Sequence, residues 1–163
     1  MSKFVKAALA SSVLLASVVG ANAAEAATAS ADARANILKQ VTVDSNEVDL
    51  NFGTIITGAT ASTVSVSTAG VGACGTGLVC SGTPTAAGFT INGTSGATVD
   101  ISVDSSVTLN GPSGTMTAAL TSSNSTLVLD GTDSFAVGGT LSVAANQADG
   151  AYSGTFSVSV DYQ

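Results

Sequence analysis

The chain has no histidine, two cysteines, two prolines and four basic residues in 163. Without histidine it has no side chain whose ordinary pKa lies near neutrality to serve as a general base. Two cysteines and no histidine cannot complete a tetrahedral zinc site. No Gly-x-Ser-x-Gly elbow is present to raise a nucleophilic serine. Carboxylates could hydrolyse glycosides in pairs, but here they fall in turn segments and on polar strand faces, so no enzyme activity and no cofactor are expected. Four basic residues against eleven acids make a poor partner for nucleic acid or anionic lipid. Helical apolar stripes and fixed-period repeats are also missing, which argues against a bundle and against a solenoid.

The one long apolar run is at the start. Lys3 and Lys6 precede Ala7 to Val19, and Ala21-Asn22-Ala23 is a small-x-small cleavage site, so Met1–Ala23 reads as a secretory signal. The run is shorter than the roughly 20 residues a spanning helix needs, and no membrane span is expected in the mature chain. The product is expected to be exported, passing through a periplasm to the cell surface or medium. Cleavage leaves about 140 residues, enough for one domain with its own core. Arg34 and Lys39 are then the only cations, and the net charge is about −9. With only 9% of residues charged, Ser, Thr, Gly and Val dominate, a composition of strands and turns. Cys74 and Cys80, in CGTGLVC, are expected to pair because the chain is exported.

Between the signal and the domain, residues 24–35 form an extension in which Ala27, Ala29, Ala31 and Ala33 alternate with polar residues. Such a stripe suits a leader, an edge strand or a segment lying in another subunit's groove. The domain itself is read as 36–163. EVDLNFGTII (Glu47–Ile56) alternates Val48, Leu50 and Phe52 and is predicted as a strand bent at Gly53. Thr68 to Thr85 reads as a long polar connection. Phe89–Ile91 and Val99–Val103 flank a Gly93–Gly96 turn and read as a hairpin. Strands are also predicted around Val64–Val66, Val107–Leu109, Met116–Leu120, Leu127–Leu129 and Phe135–Val137. Another, over Leu141–Ala145, follows a Gly138-Gly139 break. About eight to ten short strands at this spacing predict an antiparallel β-sandwich.

The last fourteen residues, GAYSGTFSVSVDYQ, read as one long strand. Tyr152, Phe156, Val158, Val160 and Tyr162 lie on one face, with serine, threonine and Asp161 on the other. This segment resembles the C-terminal strand of chaperone–usher pilin-like subunits, and LNFGTI (Leu50–Ile55) resembles a signature of spore-coat-U-type subunits. Together with GFTINGTSGATVDISV (Gly88–Val103), these stretches also resemble a family of short exported proteins catalogued as domain of unknown function 4402.

The resemblance implies an immunoglobulin-like, pilin-like sandwich, possibly short of one strand, completed by a strand lent from a periplasmic chaperone and then from the next subunit. Phe156, Val158, Val160 and Tyr162 would then form the gripped face, and the segment around Ala27, Ala29, Ala31 and Ala33 would hold the donor strand. Self-assembly, a chaperone, or both are the implied partners, and a structural subunit of a surface fibre or coat is the implied function. A self-complete, monomeric binding module is the alternative. Asp100 with Asp104 and Asp130 with Asp133 lack the ligand density of a calcium loop and read as turn and face residues. The sequons at Asn92 and Asn124 are what chance supplies in so Ser/Thr-rich a chain.

Overall fold

β-Branched side chains fit a pleated sheet better than a helix, and strands are what they form here. The computed structural model describes residues 27–163. The signal expected at Met1–Ala23 lies outside the described residues, as do residues 24–26 of the extension. Residues 27–35 belong to a leading unit distinct from 36–163. Each of them is exposed and none lies in a strand, so the alternation there does not by itself make a strand.

In chain order the strands are β1 (Thr42–Ser45), β2 (Thr54–Ile56), β3 (Ser62–Val66), β4 (Gly72–Cys74), β5 (Val79–Ser81) and β6 (Ala87–Asn92). They continue as β7 (Thr98–Val103), β8 (Ser106–Gly111), β9 (Gly114–Ser122), β10 (Thr126–Val128), β11 (Thr132–Val143) and β12 (Val158–Tyr162). No helix occurs among the described residues, and every strand pairing is antiparallel. The fold is all-β and sandwich-like. One sheet runs β1-β6-β11-β3-β4 and carries β9 and β8 on the other edge of β11; a second runs β10-β7-β12; β2 and β5 make a small ribbon.

β11 is the organising strand. Val137 faces Ala87 of β6 on one side and Ser122 of β9 on the other; two residues on, Gly139 faces Val66 of β3 and Leu120 of β9. β6 and β3 therefore share one edge of β11 in succession. Gly138 sits at the handover, where a Cβ would strike the Val66 carbonyl oxygen and the Ser67 backbone. The Gly138-Gly139 pair, predicted to separate two strands, instead lets one strand of 12 residues change partners.

β6 and β7 are not a hairpin: they lie in different sheets. Ile91 and Val99, on either side of the turn, are both fully buried in one cluster, which requires the chain to arch from one layer to the other. That cluster includes Phe135, Val137, Leu129 and Val160. A second contains Phe52, Val64, Val66, Leu141 and Val143, and Leu50, Leu120 and Phe156 pack against both. Each such side chain contributes about 1.5–3 kcal/mol on burial.

LNFGTI is a plug and a turn. Phe52 is buried, the Gly53 N–H donates to Asn51 Oδ1 at 2.8 Å, and Gly53 adopts φ 77°. A side chain at Gly53 is doubly excluded, since its Cβ would lie 2.6 Å from the Ser81 carbonyl oxygen. The strand predicted over Glu47–Ile56 is thereby reduced to β2 and an isolated bridge, Asn51 to Thr85. The connection predicted over Thr68–Thr85 contains β4 and β5. The Cys74–Cys80 disulfide joins them with Cα atoms 5.9 Å apart, fastening the β2–β5 ribbon to the edge of the larger sheet.

Candidate functional site

The C-terminal segment forms a regular strand only over Val158–Tyr162, with one further bridge, Ser153 to Asn110. It follows β7 and β8 across the bend at Asp104-Ser105, where the path passes from one sheet to the other. At Gly154 the backbones approach so closely that a Cβ would strike the Thr108 carbonyl oxygen. The predicted alternation survives this interruption: Phe156, Val158 and Tyr162 are half-buried and Val160 is buried, while the odd positions from Ser153 to Gln163 are exposed.

Backbone bonding along β12 follows the same parity. The Asp104 N–H donates to the Ser157 carbonyl at 3.1 Å, and the Gln163 N–H donates to the Thr98 carbonyl at 3.1 Å. Antiparallel bonding alternates, so Ser159 and Asp161 also bond β7, and Val158, Val160 and Tyr162 turn their N–H and C=O groups outward. No strand lies beyond that edge among the described residues. Asp104 reinforces the seam, its Oδ2 accepting the Ser157 N–H at 2.7 Å.

β1 is the matching edge of the larger sheet. The Asn46 N–H donates to the Gly88 carbonyl at 2.9 Å, so Asp44 and Thr42 bond β6 while Val43 and Ser45 face outward. Val41 and Val43 pack their side chains against the first core cluster. The two edges meet at a clasp. The Tyr162 hydroxyl donates to the Lys39 carbonyl at 2.8 Å and accepts the Thr94 N–H at 2.8 Å, while the Lys39 N–H donates to Thr94 Oγ1 at 2.7 Å. β1 leaves this clasp and β12 runs into it, so the two edges are antiparallel. The Tyr162 hydroxyl is thus bonded on both sides.

Between these edges the core is incompletely covered. Ala87 and Ile91, two residues either side of Phe89 on a strand bonded to neighbours on both edges, are 4% and 0% exposed. Phe89 shares their face, yet it is only half-buried. Its ring stacks on Phe135 at 5.2 Å and meets Phe156 edge-on at 6.1 Å. The facing sheet has three strands and ends at β12, where Phe89 and Phe156 stay half-buried while Phe135 is buried.

Of the residues singled out from sequence, Phe156, Val158, Val160 and Tyr162 are thus brought together. They are joined by Val41, Val43 and Phe89, for which alternation says which face each residue takes and not what covers it. Ala27, Ala29, Ala31 and Ala33 lie exposed in the leading unit. Cys74 and Cys80 are bonded to each other. Asp133 Oδ2 accepts the Asp130 N–H at 2.7 Å, and Asp100 Oδ1 accepts from Gln163 Nε2 at 2.7 Å; these carboxylates brace the chain's own turns and end. Asn92 Oδ1 accepts the Thr132 hydroxyl at 2.8 Å. A separate groove of about 670 Å³ is floored by Leu50, Phe52, Leu109, Met116, Leu141 and Val143 and flanked by Asp149 and Tyr152. The Tyr152 hydroxyl is bonded to Ala148 and Gln147. No helix among the described residues is long and apolar enough to cross a membrane.

The profile of a protein family described as "Domain of unknown function (DUF4402)" matches residues 40–162. No curated protein and no solved structure matches the chain.

Proposed function

Because the chain belongs to the family described as Domain of unknown function (DUF4402), whose description carries no activity, we propose a function from the geometry. The protein is an exported, non-catalytic structural subunit with an immunoglobulin-like, pilin-like sandwich. It assembles into a surface fibre or coat by accepting a β-strand along the gap between β1 and β12. The single observation that carries this reading is Phe89, only half-buried on the core face of a strand whose neighbours Ala87 and Ile91 are buried. Two outward-facing rows of N–H and C=O groups border it, and a strand added there would bond those rows and cover the rings together. A periplasmic chaperone is the fitting temporary occupant for a subunit exported with such an edge.

A self-complete binding module is the second reading. The groove over Leu109 and Met116 favours it, since it is concave and mostly apolar.

The two separate on the mature protein with and without residues 24–35, by size-exclusion chromatography and by electron microscopy of material sheared from cells. Fibres or SDS-resistant ladders that vanish with the deletion support strand donation. A monomer whose melting temperature does not move on deletion overturns it.

A further inference from the structure

The groove beside Asp149 is lined by no residue of β1 or β12. Its floor is apolar because inward positions of three neighbouring strands meet there. Leu109 of β8 faces Met116 of β9, with Leu141 and Val143 of β11 alongside. Leu141 and Val143 are buried, but Leu109 and Met116 are only half-buried, so the second core cluster is partly uncovered at this place.

The walls are braced. One is Asn51–Thr57 and the other Gln147–Tyr152. They are tied at one end, where the Asn146 N–H donates to the Gly58 carbonyl at 2.9 Å and the Thr57 hydroxyl donates to the Gln147 carbonyl at 3.4 Å. Tyr152 holds the second wall in shape, its hydroxyl donating to the Ala148 carbonyl at 2.9 Å and accepting from Gln147 Nε2 at 2.9 Å. A concave apolar site with walls already set spares a small ligand the cost of ordering them. Its volume of about 670 Å³ is ordinary for such sites.

Charge selects the ligand's head. Of the lining residues Asp149 alone is charged, and it is exposed. After Gln40 the chain has no lysine or arginine, whereas all the acids except Glu25 and Asp32 lie there. The sandwich therefore offers nothing to hold a carboxylate or phosphate head, and its own charge repels one. A second sandwich is disfavoured as the occupant for the same reason. A cation that meets Asp149 has no competitor within the sandwich.

From this we infer that the groove binds a single-chain amphiphile with an ammonium head, its hydrocarbon over Leu109 and Met116 and its head against Asp149. The inference rests on the binding-module reading above and names its ligand class.

The test adds decylammonium, hexylammonium and decanoate, each below its micelle concentration, to the full mature chain. Met116 is the only methionine after Met1, so an isotope-labelled methionine methyl reports on the groove floor by NMR. Decylammonium should shift that signal saturably. Hexylammonium should bind at least about tenfold more weakly, since each buried methylene lost costs up to about fourfold. Decanoate should also bind about tenfold more weakly, because attraction at Asp149 becomes repulsion. Asp149→Asn should abolish the preference for the ammonium, and Asp149→Lys should reverse it. Asp44→Lys, an equal change of net charge on β1, should leave the order as in wild type. All the substituted side chains are exposed, and circular dichroism checks that each variant folds.

Equal binding of decylammonium and decanoate, or a preference that Asp149→Lys leaves unchanged or that Asp44→Lys also reverses, overturns the ligand class and leaves the groove standing as a binding site. Decylammonium and hexylammonium bound alike overturn the placement of the hydrocarbon. A Met116 signal that no probe moves overturns the inference and the binding-module reading together.

Discussion

Replacing Val158 by proline tests the outward edge of β12 almost independently of the sandwich. Proline removes an N–H and places its ring where that hydrogen pointed. At Val158 the N–H faces away from β7, so no ladder bond is lost. Ser157, the preceding residue, lies outside any helix, where proline's preference for an extended neighbour is not opposed by helical backbone. What remains is the lost packing of one half-buried side chain, about 1 kcal/mol or less. For a domain of this size that is a fall of roughly 3–5 °C in melting temperature. At Ser159 the same substitution acts on the other side of the strand. It deletes a bond to Ser102 worth about 1 kcal/mol net and drives the ring into β7, for a total of about 3 kcal/mol or more. Assembly inverts this order. On the proposed reading an incoming strand would bond Val158, Val160 and Tyr162, and the ring at 158 would block the first of these sterically. The oligomer yield of Val158→Pro should fall at least about tenfold, equivalent to 1.4 kcal/mol, while its monomer stays folded. Thermal melts by circular dichroism and size-exclusion profiles of both variants supply the readings. A Val158→Pro protein that polymerises like wild type, or a Ser159→Pro protein as stable as wild type, refutes the assignment of which groups face outward.

Two further outcomes follow from the geometry. Tyr162→Phe keeps the ring against the core and deletes the bonds to Lys39 and Thr94, so urea melts should show a loss of about 1–2 kcal/mol; an unchanged midpoint would mean the clasp is not held by the hydroxyl. Cys74→Ser with Cys80→Ser opens a short loop and should cost roughly 2–3 kcal/mol at most. Hydrogen exchange should rise first in Thr54–Ile56 and Val79–Ser81, the ribbon the disulfide fastens, and an equal rise across the β11 ladder would contradict that placement.

The all-β class and the inward face of the last strand were legible in the sequence because a period of two depends only on neighbours along the chain. Val160 and Tyr162 kept their predicted face even where Gly154 broke the regular strand. Partner choice was not legible. The Gly93–Gly96 turn looks the same whether it closes a hairpin or arches between layers, and what decides is that Ile91 and Val99 must be buried against each other. Gly138-Gly139 reads as a break because glycine weakens strands in isolation; it is a handover because Val66 and Ser67 pass too close for a Cβ. Phe89 illustrates the limit at the site itself. Its pattern marks it as core, and it stays half-buried where the facing sheet ends at β12.

The position of β11 governs when this protein can fold. Its partners β3, β6 and β9 all precede it in the chain, and β3 and β6 bond one edge of it without bonding each other. A chain made from its N-terminus can close the local β3–β4 and β8–β9 hairpins early, but the larger sheet has no centre until residue 143 has appeared. Folding must therefore wait for long-range pairings, which are slow to form and leave strand edges exposed meanwhile. Once β11 docks, β3, β6 and β9 are captured together, so the sheet forms nearly all at once and late. During that interval the unpaired edges of β3, β6 and β9 are open to chance pairing with other chains.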